Sequence, residues 1–307
     1  MNSCKVVSAA VYRNLGARAP KDPLDFTVFV LMALAGLQWA GFFVCASYLG
    51  FSPFSGIVST AYCLLFVSAC SRLNFHLTLR ENYAAPFLWW QIFFVLMNIR
   101  CERPHLPKLF LFAITTCLFM LTWQFAQFIL LLQLAALYAS YALGFLNRNI
   151  FLSVIKGYLL AGAVVIVVTL GNTMLLTSMH LILSLTLLLV ISTDQPRSTF
   201  SARVMHGLGA GLLMIVAKLL AGVLADDDAH IFRILRAKFF NYEDFITYLY
   251  LCGPTYRAME WGEFGSFFET GLLHLAIGVA ASIVRMRKGG GETKLDLMLH
   301  FLSSFYV

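Results

Sequence analysis

Between Leu109 and Leu146 the chain runs for 38 residues without an Asp, Glu, Lys or Arg. As one helix this stretch would be about 57 Å long at 1.5 Å per residue. That is nearly twice the ~30 Å hydrocarbon core of a bilayer. The run must therefore fold back on itself in apolar surroundings. We expect the break at Thr122-Trp123-Gln124, where polar groups and an aromatic ring suit a membrane interface. A second break is expected at Gly171-Asn172-Thr173, a glycine turn between two apolar runs.

The same reading along the chain gives nine apolar segments: 26–48, 54–70, 85–97, 109–121, 123–146, 155–170, 175–191, 204–224 and 271–284. In lipid every backbone polar group must be paired internally, so helices are the default. No strand-period alternation supports a barrel. Only 12% of the residues are charged and 60% are hydrophobic, with a mean hydropathy of +0.80. Soluble domains carry about 25% charged residues, so a water-soluble globule is excluded. The expected fold is an all-α polytopic membrane protein. No cleavable signal peptide is expected, because the polar first 25 residues carry Lys5, Arg13, Arg18 and Lys21 with no apolar run.

The net charge of +7 would suit nucleic acid in a soluble protein. Here its distribution speaks for topology. Arg100, Arg103, Lys108, Arg148, Lys156, Arg197, Arg203, Arg285, Arg287, Lys288 and Lys294 all fall on one side of the alternating segments. Short loops on the other side hold Arg72 and Arg80. The basic side is expected in the cytosol. The opposite side carries the turns at Trp123 and Asn172 and a long polar loop, 225–270, with eight acids and four bases. The same parity places segment 1–25 on the luminal side, against its basic character. Residues 26–286 form the membrane region. Segment 287–307 is a cytosolic glycine hinge, Gly289 to Gly291, followed by the start of a further apolar helix. The seven cysteines show no CxxC spacing, so no zinc site is expected.

Five groups of polar residues stand out. Asp226, Asp227, Asp228 and His230 open the long loop. Adjacent carboxylates raise one another's pKa and suit proton transfer; they equally suit a solvated cap at a helix N-terminus. Arg80, before the third segment, can grip a phosphate through paired donors or pair with Glu81. Lys218 lies within the eighth segment and must snorkel, pair or bind an anion. Gln124 and Gln127, three residues apart, share a helix face and can touch a sugar or join helices. For Asn172, Thr177 and Ser178 helix capping is the plainer role. The histidines outside the loop show no ligand spacing.

Several longer stretches add up in order: Leu79-Arg80-Glu81-Asn82-Tyr83; Trp123-Gln124-Phe125-Ala126-Gln127-Phe128; Gly171-Asn172-Thr173-Met174-Leu175-Leu176-Thr177-Ser178; Asp227-Asp228-Ala229-His230-Ile231; and Lys238-Phe239-Phe240-Asn241-Tyr242-Glu243-Asp244-Phe245. The chain resembles the Dumpy-19 family of protein C-mannosyltransferases. The resemblance implies a GT-C transmembrane bundle in the endoplasmic reticulum membrane with its active face in the lumen. It implies transfer of mannose from dolichyl-phosphate mannose to C2 of tryptophan in secretory polypeptides. No cofactor is expected, and the sequence gives no support for a metal, although the carboxylate cluster leaves room for one. For that reaction we expect Arg80 and Lys218 to hold the donor phosphate, and Gln124, Gln127, Asn172 and Tyr250 to meet the sugar or acceptor. Asp227, Asp228 and His230 are the catalytic candidates. The family is longer, so this chain reads as an internal piece whose catalytic base is expected in a preceding luminal segment. A catalytically inactive fragment or membrane scaffold and, further off, a transporter are the competing readings.

Overall fold

The computed structural model describes residues 3–15, 22–70, 80–101, 103–193 and 200–222. Among them there are helices and no strand: α1 Ser3–Leu15, α2 Pro23–Leu49, α3 Pro53–Cys70, α4 Glu81–Ile99, α5 Leu106–Thr122, α6 Ala126–Ala142, α7 Arg148–Val168, α8 Thr173–Leu176, α9 Met179–Thr193 and α10 Phe200–Gly222. Among the described residues, four stretches are long and apolar enough to cross a membrane: Pro23–Leu49, Arg148–Val168, Thr173–Ser192 and Ser201–Leu220. The other expected spans within the described residues are also largely helical. The ninth, 271–284, lies outside the described residues, as do segments 225–270 and 287–307.

Local chemistry sets the boundaries. Asp22 caps α2 by accepting from Leu24 N at 2.8 Å, with Pro23 in the first turn. Asn147 caps α7 by accepting from Asn149 N at 3.1 Å. Trp123 interrupts the long apolar run with an extended backbone (φ −144°, ψ 125°) between α5 and α6. After α7 the chain turns through Leu170 (φ 57°) and Gly171 (φ 77°). Gly171 N donates to Ile166 O at 2.8 Å and Leu170 N to Val167 O at 3.1 Å, the paired bonds of a Schellman ending. Leu170 holds the left-handed position usually given to glycine and is 94% exposed. Its side chain costs about 1 kcal/mol there. Leu170→Gly is expected to raise the unfolding midpoint of the detergent-solubilised chain by about 2 °C, measured by thermal denaturation; a lower midpoint would count against this account.

The helices pack in a chain of neighbours: α2 against α3 and α4, α4 against α5, α5 against α7, and α9 against α6, α7 and α10. The centre is filled by Phe112, Phe119, Leu130, Leu134, Phe151 and Tyr158, all fully buried. Within the polar first segment, residues 3–15 form helix α1. It packs on α2 and α5, and Tyr12 lays its ring 5.2 Å from Phe26.

The arginines at the basic end close helices. Arg100 Nη1 donates to Tyr48 O (2.6 Å), in the last turn of α2. Arg148 donates to Ile191 O and Ser192 O of α9, and Arg203 to Tyr141 O of α6. Each therefore donates to carbonyls in the last turn of a neighbouring helix; Tyr141 O also accepts from Gly144 N at 3.0 Å.

Candidate functional site

At the other end of the bundle, the turns separated in sequence come together. Arg80 stands at the N-cap of α4, Gln124 in the turn after α5, Gln127 in the first turn of α6, and Asn172 before α8. All four line one cavity of about 330 Å³, together with Trp123 and Thr169. Arg80 Nη1 donates to Gln124 Oε1 at 3.4 Å. Among the described lining residues Arg80 carries the only charge. A guanidinium over an otherwise neutral cavity is an anion-binding arrangement.

Gln124 does not share a helix face with Gln127, because it sits in the turn where Trp123 stops α5 and before α6 begins at Ala126. The two amides meet at the cavity through the turn. Gln127 Oε1 is buried with no hydrogen-bond partner. A buried acceptor left unmade costs about 1–3 kcal/mol, and this one belongs to a residue of the cavity wall. Asn172 has a capping role: its Oδ1 accepts from Met174 N at 3.1 Å. Ser178 Oγ likewise accepts from Leu181 N at 3.4 Å.

Lys218 lies on α10 outside this lining. Its Nζ donates to Thr177 O at 2.8 Å, the C-cap residue of α8. The ammonium thus rests on carbonyls at a helix C-terminus, one turn of chain from Asn172. Asp226, Asp227, Asp228, His230 and Tyr250 lie outside the described residues. No group of three His, Cys, Asp or Glu among the described residues can hold a metal ion.

Sequence reasoning passed over a polar cluster in the bundle interior. Gln91 Nε2 donates to Gln133 Oε1 (2.7 Å), and Gln133 Nε2 returns a bond to Gln91 Oε1 (3.1 Å). Tyr158 OH donates to the same Gln133 Oε1 at 2.6 Å. The buried His180 ring meets Tyr158 edge-on at 4.9 Å. These residues join α4, α6, α7 and α9. The available signal was polar side chains inside apolar spans, without anything to say which would pair.

Membrane-length helices and no strand among the described residues mark a polytopic α-helical membrane protein, with a cavity of mixed lining at one end of its bundle. Residues 4–304 match the Dpy19 family profile, described as "Q-cell neuroblast polarisation". The chain belongs to the Dpy19 family. Protein C-mannosyl-transferase DPY19L1 of Mus musculus is 34% identical over 275 residues, covering 86% of this chain and 36% of the mouse protein. Its Homo sapiens counterpart has the same identity, with 40% of its length covered. C-mannosyltransferase dpy-19 of Caenorhabditis elegans is 24% identical over 265 residues, 83% of this chain and 38% of the worm protein. The chain thus spans roughly two fifths of the length of these relatives.

Proposed function

We propose that this chain carries the donor-binding membrane region of a C-mannosyltransferase. The donor is dolichyl-phosphate mannose and the acceptor is C2 of a tryptophan indole in secretory polypeptides. The bundle is of GT-C type, with about nine spans, in the endoplasmic reticulum membrane, and the Arg80 cavity faces the lumen. Lipid surrounds the bundle and no cofactor takes part. The support is the meeting of Arg80, Gln124, Gln127 and Asn172 around one cavity, with the unpartnered Gln127 Oε1 beside it. The relatives' names give the reaction class.

In this reading the bond between the mannosyl anomeric carbon and the phosphate oxygen breaks, and a bond from that carbon to indole C2 forms. The C2 proton passes to a carboxylate, and dolichyl phosphate departs. Arg80 holds the departing phosphate, whose charge grows as the bond breaks. Gln127 Oε1 accepts from a sugar hydroxyl, and Gln124 keeps the guanidinium in place. Lys218, fixed on Thr177 O, adds positive potential beside the same turn. The loop beyond α10 supplies Asp227, Asp228 and His230 for proton handling and Tyr250 for the acceptor peptide.

Arg80→Ala is expected to weaken binding of dolichyl-phosphate mannose to the purified chain by roughly ten- to a hundredfold, from the loss of a charged hydrogen-bond donor worth about 1.5–3 kcal/mol. The corresponding arginine change in a full-length relative should lower mannose transfer to a tryptophan peptide comparably. Unchanged donor binding and unchanged transfer would reject the assignment.

A further inference from the structure

Arg80, Gln124, Gln127 and Asn172 give the Arg80 cavity its charge and its amides, and leave the one ring in its wall without a role. Trp123 is the only aromatic residue among the described lining residues. Its position follows from the break in the long apolar run. Trp123 N donates to Phe119 O at 3.3 Å and closes α5, and its own carbonyl accepts from Ala126 N at 3.2 Å as α6 begins. The extended backbone between them (φ −144°, ψ 125°) takes the residue out of the register of both helices.

The indole is held without being covered. Its ring centre lies 6.2 Å from that of Phe119 and 5.9 Å from that of Phe125, tilted by 56° and 60°. Neither neighbour stacks flat on it, and Trp123 stays partly exposed while Phe119 is fully buried. A ring fixed by such contacts, with two side-chain torsions to order, loses little freedom when a ligand arrives. Anchoring at a membrane interface would account for an indole at a helix end. It gives no reason for that indole to share a wall with a guanidinium and three side-chain amides.

A hexose calls for that combination. Its hydroxyls need hydrogen-bond partners, and its slightly positive C–H groups gather on a face of the ring that hydroxyls leave free. The negative face of an aromatic ring is their complement. At about 330 Å³ the cavity is at the small end of ligand sites, which begin at roughly 300 Å³. It suits one sugar with its phosphate and not a longer glycan. We propose that Trp123 is the platform on which the sugar of the lipid-linked donor lies, which makes it a specificity-determining residue of the Arg80 cavity. This inference rests on the donor reading given above and divides the wall by chemistry. Arg80 takes the phosphate, the amides take the hydroxyls, and Trp123 takes the apolar face of the sugar.

Comparing two lipids isolates the sugar. The full chain in phosphatidylcholine nanodiscs is titrated with dolichyl-phosphate mannose and, separately, with dolichyl phosphate. Dolichyl phosphate carries the extra charge of a monoester, so the readout is the ratio of the two dissociation constants and not either affinity alone. In Trp123→Leu that ratio is expected to shift roughly three- to tenfold toward dolichyl phosphate, through loss of one aromatic face. Trp123→Phe, which keeps a face, should hold most of the native ratio. A second readout leaves the fold untouched and decides alone where Trp123→Leu does not fold. In the native chain carrying fluorotryptophan, the Trp123 fluorine resonance, assigned by its absence from Trp123→Phe, should move further with the mannosyl lipid than with dolichyl phosphate. A plain membrane anchor would lower the unfolding midpoint in Trp123→Leu and leave the ratio alone. A ratio unchanged in Trp123→Leu, a ratio shifted equally in Trp123→Phe, or a resonance that answers both lipids alike overturns the platform and leaves the donor reading standing. Binding of neither lipid to the native chain overturns the donor reading, and this inference with it.

Discussion

Gln133→Leu is expected to destabilise the bundle by about 2–4 kcal/mol, measured by thermal or denaturant unfolding of the detergent-solubilised chain. Leucine is no smaller than glutamine, so the loss does not come from a cavity. Gln133 Oε1 accepts from Gln91 and Tyr158, and its Nε2 bonds Gln91 in return. Gln91 and Tyr158 are fully buried. Removing their partner strands polar groups at about 1–3 kcal/mol each, tempered by the smaller values found for interhelical bonds in membranes. The signature is recovery: replacing Gln91 and Gln133 by leucine and Tyr158 by phenylalanine together removes the stranded groups. The triple variant should therefore regain much of what Gln133→Leu loses. A triple variant less stable than the single one would show that the cluster is a net source of stability. No loss at all in Gln133→Leu would remove it from the energetics of the fold.

Gly157→Val is expected to cost about 2–3 kcal/mol by overpacking. Gly157 lies where α7 crosses α5. A Cβ built there would stand 2.7 and 2.8 Å from two ring carbons of Phe112 and 3.0 Å from a Leu109 methyl carbon. Phe112 is itself fully buried and held edge-on against Tyr158 at 4.9 Å, so its ring has nowhere to retreat. Alanine should already be felt, and valine more strongly. Shortening the opposing residue tests the cause: Phe112→Leu combined with Gly157→Val should be more stable than the sum of the two separate losses predicts. Strict additivity would place the damage elsewhere in the helix.

Hydropathy made the helical layers legible. The run from Leu109 to Leu146 announced its own interruption by its length, and the chain does break at Trp123. The turn at Gly171 and the cap at Asn172 were likewise written in local chemistry. The convergence of Arg80, Gln124, Gln127 and Asn172 at one end followed from counting alternations, since turns at equal parity share an end. Pairing within the bundle was not legible. Gln91, Gln133 and Tyr158 stand 42 and 25 residues apart, and nothing local says which polar groups in three apolar helices will face one another. The face shared by Gln124 and Gln127 was misjudged because the helix starts only after Gln124. The helical state of residues 3–15 and the contact of Tyr12 with Phe26 were not legible in a segment read by its charges.

The three arginines that finish α2, α6 and α9 all reside on other helices. A segment placed upside down in the bundle would carry its guanidinium to the far end and lose its bond to the neighbouring helix. Each of these bonds thus depends on the relative direction of two helices.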